Sequence, residues 1–265
     1  MKVAGSVVVI TGGARGIGLS IGQSLAADGA KVVLADMLEE DLDNAVSAIT
    51  AAGGEAVGVV ANVTKDEDVA KVMDTALEKF GAINVVVANA GIIRDGLVLN
   101  PDRETGKIKG VMSTEAFRSV IEVNLVGAFI TLREGAQRMV DNGCKGVLIL
   151  TSSINQTGQP GQLNYSSSKA ALALWPKILV GEFLMRGIKD VRVVGIAPGY
   201  AATDILKGMN PKALETILKD VHIGRLVEPA ELASTVEHVI ENEAIDGTVI
   251  EVSGGVTYGP RSRAK

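Results

Sequence analysis

The stretch Thr11-Gly12-Gly13-Ala14-Arg15-Gly16-Ile17-Gly18 decides the fold, because it places a glycine cluster between an apolar run and an amphipathic segment. The apolar run, residues 7–11, predicts a strand, and residues 16–28 predict a helix. Glycines at such a junction allow a sharp turn, a close approach of backbone N–H groups to a pyrophosphate, and tight packing of the helix on the strand. The stretch therefore predicts a phosphate-binding β–α turn, with a tight turn that binds no ligand as the alternative.

The same alternation of short apolar runs and longer amphipathic segments continues along the chain. Further strands are predicted at residues 31–35, 56–61, 85–88, 146–151, 191–197 and 248–252, and further helices at 38–52, 66–80, 114–141 and 165–186, with two more towards the end. Pro229 opens the last helix, in the first turn, where helices accept proline. Several strands are apolar almost throughout, which is typical of strands covered by helices on both faces.

No internal repeat and no low-complexity linker divides the chain. We therefore predict an α/β fold, namely a single doubly wound, Rossmann-type domain over residues 1–265, with a parallel seven-stranded sheet and helices on both faces. Pro176 lies inside the predicted helix 165–186 and is expected to bend or interrupt it, since proline removes a backbone hydrogen bond.

Composition excludes several classes of protein. With 265 residues, 47% of them hydrophobic, the chain can bury a large core, and disorder is excluded. The net charge is −5 without a basic block, so nucleic acid is not an expected partner. Cys144 is the single cysteine, and His222 and His238 lack ligand-like spacing, so no metal site is predicted. Without a signal segment or a membrane-spanning apolar stretch, a soluble, cytoplasmic protein is expected.

Asp36 stands at the end of the second predicted strand, eighteen residues after Gly18, where a dinucleotide fold has its ribose-binding acid. A carboxylate there would accept from both adenosine ribose hydroxyls and repel a 2′-phosphate. NAD(H) is therefore the predicted cofactor. Arg15, in the glycine turn, could pair with a 2′-phosphate, so NADP(H) stays open as the less favoured alternative.

Further motifs follow in a fixed order along the chain. They are Asn89-Ala90-Gly91 after the fourth strand, Asn124, Ser152-Ser153 at the end of the fifth strand, Tyr165 with Lys169, and Pro198-Gly199 after the sixth strand. Together with the glycine turn, this set resembles the short-chain dehydrogenase/reductase family over nearly the whole chain. Within the family, the chain is similar in a general way to 3-oxoacyl-carrier-protein reductases and 3-hydroxyacyl-CoA dehydrogenases.

Tyr165 and Lys169 are four residues apart on a predicted helix and project from the same face. Because a tyrosine hydroxyl has a reference pKa near 10, it needs a nearby positive charge to act at neutral pH, and Lys169 can supply that field. The resemblance implies that Tyr165 exchanges a proton with the substrate oxygen, that Lys169 hydrogen-bonds the nicotinamide ribose, and that the nicotinamide carries the hydride. It also implies that Asn124 holds a water that passes protons to Lys169; an amide that satisfies backbone groups is a compatible alternative.

The resemblance assigns a serine hydroxyl to the substrate oxygen, and two neighbouring serines compete for that role. Counting forward from Gly146 favours Ser153, whereas counting back from Tyr165 favours Ser152. We predict Ser153, because a strand fixes position more tightly than a loop does. The predicted catalytic set is Asn124, Ser153, Tyr165 and Lys169.

The resemblance also implies which residues contact the cofactor. They are Gly12, Arg15, Gly16, Ile17, Gly18, Asp36, Asn62, Val63, Asn89, Ala90, Gly91, Tyr165, Lys169, Pro198, Gly199 and Thr203. Asn62 and Val63 stand where the family usually has Asp-Val near the adenine. Pro198, Gly199 and Thr203 resemble the turn that meets the nicotinamide carboxamide.

Two segments bear on the substrate. Residues 100–110 look like a hairpin-like insertion, which is either a solvated excursion or a rim whose Arg103, Lys107 and Lys109 offer charge to a phosphate-bearing carrier such as coenzyme A. Residues 204–221 lie where the family keeps a substrate lid. Because aromatic residues make up only 3% of the chain, an aliphatic acyl group fits better than a planar substrate.

The predicted function is an NAD-dependent oxidoreductase that interconverts a secondary alcohol and a ketone, with a 3-hydroxyacyl and a 3-oxoacyl thioester, carried on coenzyme A or an acyl carrier, as the favoured pair. A dehydrogenase of a small polyol, a steroid or an alicyclic alcohol is the enzymatic alternative. A non-catalytic, dinucleotide-binding regulator is a remote one, since the catalytic set is intact. By resemblance, the assembly is a homotetramer or homodimer.

Overall fold

A computed structural model describes residues 1–257. Residues 258–265, which belong to the predicted domain, lie outside the described residues. The strands are β1 (Val7–Thr11), β2 (Lys31–Asp36), β3 (Glu55–Val60), β4 (Val85–Ala88), β5 (Leu99–Pro101), β6 (Ile108–Val111), β7 (Gly146–Thr151), β8 (Val191–Pro198) and β9 (Thr248–Val252).

Seven of these strands form one parallel sheet in the order β3-β2-β1-β4-β7-β8-β9. Strand order reverses between β1 and β4, which pair with Val8 opposite Val85. This confirms the predicted doubly wound, seven-stranded parallel sheet. Such a reversal opens a crevice at the carboxyl ends of the strands, where α/β proteins bind ligands.

The helices begin and end close to the predicted bounds. They are α1 (Gly16–Ala27), α2 (Glu39–Ala51), α3 (Asp66–Phe80), α4 (Thr114–Ile121), α5 (Gly127–Asp141), α6 (Leu163–Arg186), α7 (Asp204–Lys207), α8 (Pro211–Leu218) and α9 (Pro229–Glu241). A π-helix, Glu122–Val126, joins α4 to α5, and a 3₁₀ turn, Ile154–Thr157, follows β7.

The structure refines one prediction about helix continuity and contradicts part of another. The single helix expected at residues 114–141 is divided by the π-helix, because one turn there widens to place Asn124 in the protein interior. Pro176 does not interrupt α6, which runs on from Leu163 to Arg186. Pro176 is buried and α6 packs on β8, so packing holds the helix across the missing hydrogen bond.

The core has two halves, one on each face of the sheet. Along β1, Val8 and Ile10 point into one cluster and Val7 and Val9 into the other, and all four are buried. Helices α1 and α9 pack together in the first layer, and α3 and α5 in the second. Burial of both faces explains why these strands read as continuous apolar runs.

Two segments at the carboxyl edge of the sheet are far less buried. Strands β5 and β6 pair in an antiparallel hairpin over the insertion predicted at residues 100–110. Helix α8, in the predicted lid segment, has no buried residue. Within residues 1–257, no helix is long and apolar enough to cross a membrane, and no group of three His, Cys, Asp or Glu side chains could hold a metal ion.

Candidate active site

The glycine turn between β1 and α1 has the backbone that only glycine adopts easily. Gly12 and Gly16 have φ angles of +65° and +58°. A Cβ atom on Gly18 would lie 2.1 Å from the carbonyl oxygen of Gly12, so a side chain there would separate the helix from the turn. No side chain caps the N-terminus of α1, and its first N–H groups are therefore open to an anion. These features fit the pyrophosphate of a dinucleotide.

Asn89 holds this turn against the segment that follows β4. Its Nδ2 atom donates to the carbonyl oxygens of Thr11, at 3.2 Å, and Gly12, at 3.1 Å. A Cβ atom on Gly12 would also lie 2.9 Å from Cα of Ala90, so the two segments touch through backbone. Two motifs that are distant in sequence thus meet at the crevice.

Asp36 lies beside the turn, at the end of β2. Its carboxylate accepts from the N–H groups of Ala14, at 3.2 Å, and Leu38, at 3.3 Å. Arg15 is exposed, and its Nη1 atom lies 3.9 Å from the Asp41 carboxylate on α2. The Asp36 carboxylate therefore lies where it could accept from ribose hydroxyls. The Arg15 guanidinium, which could otherwise pair with a 2′-phosphate, lies near the Asp41 carboxylate.

Asn62 and Val63 are placed differently from each other. The Oδ1 atom of Asn62 accepts from the N–H and the hydroxyl of Thr64, at 3.0 and 2.9 Å, so Nδ2 is the part of its amide left for a ligand. Val63 is buried against α5, where a Cβ atom on Gly127 would meet its side chain at 2.7 Å. Val63 therefore contributes packing.

Asn124 points inward from the π-helix and is fully buried. Its Oδ1 atom accepts from the N–H of Ile92 at 2.7 Å, and its Nδ2 atom donates to the carbonyl of Ile92 at 3.0 Å. The amide thus satisfies backbone groups, which was the alternative role predicted for Asn124. It also joins the π-helix between α4 and α5 to the segment after β4.

Ser152 and Ser153 point to opposite sides at the end of β7. The Ser152 hydroxyl lies 2.8 Å from the carbonyl oxygen of Lys169 and 2.9 Å from Oε1 of Gln156, either of which accepts its proton. Ser153 instead hydrogen-bonds the Tyr165 hydroxyl. The structure therefore brings Ser153, and not Ser152, to Tyr165.

Lys169 is buried one turn after Tyr165 on α6, and its Nζ atom lies 5.6 Å from the centre of the Tyr165 ring. Nζ donates to the carbonyl of Thr151 at 2.6 Å. Burial lowers the pKa of Lys169 from 10.5 to about 8, because a buried ammonium loses its hydration.

The pKa of Tyr165 is raised, which differs from the lowering expected from Lys169. Burial of the half-buried side chain is the largest cause. The hydrogen bond from Ser153 lowers the pKa, and the negative charge of Asp95 raises it. Tyr165 is therefore a protonated acid at neutral pH.

The turn after β8 lies on the other side of the crevice. Gly199 packs so closely on the chain that its Cβ atom would lie 2.7 Å from Cα of Ser253, and its N–H donates to the carbonyl of Val252 at 2.9 Å. Thr203 approaches the glycine turn, with Cγ2 3.5 Å from the position of a Cβ atom on Gly16. The segments that follow β8 and β1, both of which hold predicted cofactor residues, thus approach each other.

Sequence reasoning missed three polar residues of this site, Asp95, Gln162 and Asn164. Asn164 is buried; its Nδ2 atom donates to the carbonyl of Arg94 at 2.9 Å, and its Oδ1 atom accepts from the N–H of Tyr165 at 2.8 Å. The hydrogen bonds from Gln162 to Asp95 and from Asn164 to Arg94 join residues about 70 positions apart in sequence, so no local pattern could pair them. The nearness of Gln162 and Asn164 to Tyr165 was the one available signal.

Comparisons with known proteins agree with this geometry. Residues 6–214 match the family model described as short chain dehydrogenase. A 3-oxoacyl-[acyl-carrier-protein] reductase of Synechocystis sp. is 35% identical over 254 residues, which cover 94% of this chain and 96% of that protein. The 3-hydroxyacyl-CoA dehydrogenase type-2 of Rattus norvegicus is 37% identical over 266 residues, which cover 98% of each.

A solved structure is also similar over nearly the whole chain. It is a 7α-hydroxysteroid dehydrogenase complexed with NADH and 7-oxo glycochenodeoxycholic acid, 28% identical, with a TM-score of 0.84. The match covers 97% of this chain and 96% of that one.

Proposed function

Since the chain belongs to the short-chain dehydrogenase/reductase family and is an oxidoreductase acting on CH–OH groups, we propose that it interconverts 3-hydroxyacyl and 3-oxoacyl thioesters with NAD(H). The observation that carries the proposal is the Ser153–Tyr165 hydrogen bond beside the buried Lys169, in a crevice formed by the glycine turn. A proton donor, a second hydroxyl and a positive charge would then lie within reach of one bound carbonyl group.

In the direction of reduction, Tyr165 would donate its proton to the carbonyl oxygen of the substrate. Ser153 Oγ accepts from the N–H of Asn155 at 3.1 Å, so its own proton is available to hydrogen-bond the same oxygen as negative charge develops there. The ammonium of Lys169 would then stabilise the phenolate that remains. The bound nicotinamide would supply the hydride.

The preference for NAD(H) rests on Asp36 and on the pairing of Arg15 with Asp41. We expect a higher kcat/KM with NADH than with NADPH. Replacing Asp36 by Ser should lower the ratio of kcat/KM with NADH to kcat/KM with NADPH by at least about tenfold, because the repulsion of a 2′-phosphate is lost. Asp28→Ser, at an exposed carboxylate after α1, is the matched control and should leave the ratio unchanged. A wild-type preference for NADPH would overturn the assignment.

A thioester substrate is supported by the names of the two relatives and by the hairpin. The N–H of Gly96 donates to the carbonyl of Gly161 at 2.8 Å, which joins the base of the hairpin to the start of α6. Lys107 and Lys109 are exposed on that hairpin, next to exposed apolar side chains. An acyl chain and a phosphate-bearing carrier are the ligands that such a rim fits.

The deciding experiment is NADH oxidation with acetoacetyl-CoA, compared with simple ketones and with a 7-oxo bile acid. We expect the thioester to have the highest kcat/KM. Deleting the hairpin should then raise KM for the thioester more than for a small ketone. A steroid dehydrogenase is the second candidate, favoured by the solved structure, and turnover of the bile acid without turnover of the thioester would establish it.

We also propose an oligomer formed through α6. Five large apolar side chains on that helix are half or more exposed, namely Leu163, Leu174, Ile178, Leu184 and Met185. An exposed apolar face of this kind is typical of a protein–protein contact. Light scattering should give a dimer or tetramer; a monomer would contradict the proposal.

A further inference from the structure

The segment after Gly91 is tied to the site at alternate residues. Ile92 is held by the Asn124 amide, the carbonyl of Arg94 accepts from Asn164, and the N–H of Gly96 donates to Gly161. These bonds fix the position of Asp95, which lies between the last two tethers. The mechanism described above makes no use of Asp95.

The Asp95 carboxylate begins a chain of hydrogen bonds that ends at Tyr165. Its Oδ2 atom accepts from Nε2 of Gln162 at 2.8 Å, and Oε1 of Gln162 accepts from Nδ2 of Asn155 at 2.7 Å. The N–H of Asn155 donates to Ser153 Oγ at 3.1 Å, and Ser153 hydrogen-bonds Tyr165. The carboxylate therefore fixes which way the Gln162 amide points, and through it the turn that holds Ser153.

Asp95 also acts on Tyr165 through its charge. The elements packed against α6 and the segment after β4 carry several charged residues besides Lys169, namely Arg94 and Asp95 after β4, Glu115 and Arg118 on α4, Glu122 in the π-helix, Arg192 on β8 and Glu251 on β9. Among these, Asp95 raises the pKa of Tyr165 through its charge. A negative charge nearby disfavours the phenolate.

We propose that Asp95 is a positioning residue for the Ser153–Tyr165 pair, which orients Ser153 through Gln162 and Asn155 and acts on the Tyr165 hydroxyl through its negative charge. The inference rests on the proposed function, in which Tyr165 donates a proton to a carbonyl oxygen. It bears on the pH dependence of that function, because the protonated tyrosine is the form that donates to a carbonyl oxygen in reduction.

The charge is tested with Asp95→Asn, which keeps an oxygen that can accept from Gln162 and removes the negative charge. In the cofactor-free protein, the ultraviolet difference titration against a Tyr165→Phe background isolates the phenolate of Tyr165. We expect the pKa of Tyr165 to be lower in the variant than in the wild type. The descending limb of the pH profile for reduction and the ascending limb for oxidation should both move to lower pH.

Glu104→Gln is the matched control, since it removes an exposed carboxylate in the loop between β5 and β6, further along the chain from Asp95. Its titration should coincide with that of the wild type. An unchanged titration in Asp95→Asn, or an equal shift in Glu104→Gln, would overturn the effect of the Asp95 charge.

The orientation of Ser153 is tested with Asp95→Ala, which also removes the acceptor for Gln162. We expect kcat for reduction to fall roughly 2–10-fold below that of Asp95→Asn, the size of one lost hydrogen bond. Equal kcat values in the two variants would overturn the positioning role. The titration needs no substrate, so a shift without thioester turnover would reject the proposed substrate and keep the inference, whereas turnover without a shift would do the opposite.

Discussion

Two regions at the carboxyl edge of the sheet differ in how their side chains are held. Where β7 meets α6, Asn124, Ser152 and Lys169 are buried, and each is hydrogen-bonded to backbone. In the hairpin, Leu99 and Val111 face each other across the two strands and are 58% and 65% exposed. Helix α8 likewise buries no residue.

This difference in burial suggests a division of roles, in which the buried region carries out the proposed proton transfer and the exposed hairpin and α8 select the substrate. The first region is fixed by burial and by satisfied polar groups; among residues 1–257, no buried side-chain nitrogen or oxygen lacks a hydrogen-bond partner. The hairpin and α8 have few buried contacts, which is typical of segments that open at low free-energy cost. In the proposed mechanism, the residues that transfer the proton are therefore held in place before substrate binds, whereas the exposed rim would be covered by the substrate.

The largest effect is expected from Tyr165→Phe. Removing the hydroxyl takes away the proton donor, so kcat should fall roughly 10²–10⁴-fold. The melting temperature should change little, because the ring is kept. Steady-state kinetics and thermal unfolding check both parts. If the Tyr165→Phe variant kept its activity, the proton donor would lie outside the buried region where β7 meets α6, and the contrast between that region and the hairpin would not hold.

Ser153→Ala and Ser152→Ala should separate the two serines. Loss of the Ser153 hydroxyl is expected to lower kcat roughly 10²–10³-fold, as for other donors to a developing oxyanion. Loss of the Ser152 hydroxyl should lower the free energy of unfolding by about 1 kcal/mol, since a bond to the Lys169 carbonyl disappears. A larger loss of activity in Ser152→Ala would reverse the assignment.

Lys169→Met should abolish activity and stabilise the fold at neutral pH. In the unfolded chain the amine stays charged up to pH 10.5, whereas its pKa in the folded protein is about 8. Below pH 8 the folded protein therefore holds a buried charge at a cost of up to about 3 kcal/mol, and this cost disappears between pH 8 and 10.5.

Denaturant unfolding of Lys169→Met should accordingly show its gain at pH 7 and little gain above pH 10.5. The control is Lys177→Met, at an exposed position on the same helix, which should change stability little at either pH. A loss of stability in Lys169→Met at pH 7 would mean that the bond to Thr151 outweighs the cost of burying the charge.

The smallest effect is expected in the hairpin. Leu99→Ala should change the free energy of unfolding by less than about 0.5 kcal/mol, because the side chain is already in water. Leu150→Ala, at a fully buried position on β7, should cost about 2–5 kcal/mol. A comparable loss at Leu99 would show that the hairpin face is covered in solution.

Much of the fold could be predicted from local patterns. The bounds of β1, β4 and β7 coincide with the predicted ones, because burial on both faces leaves a clear apolar run, and the bounds of β9 and α3 coincide as well. The π-helix and the continuous α6 could not be predicted, since Asn124 is drawn inward by Ile92, 32 positions away, and packing holds the turn at Pro176. The assignments of catalytic and cofactor-binding residues stay predictions.

By itself, the sequence determined the features that depend on neighbours along the chain. These are the glycine turn, the acid at the end of β2 and the spacing of Tyr165 and Lys169 on one helix face. Only the tertiary structure decided which serine meets Tyr165 and that Asp95 lies near that pair. It also decided that the pKa of Tyr165 is raised by burial, and not lowered as expected from Lys169. Hydrogen bonds and desolvation act through space, and residues about 70 positions apart in sequence meet only after the sheet has formed.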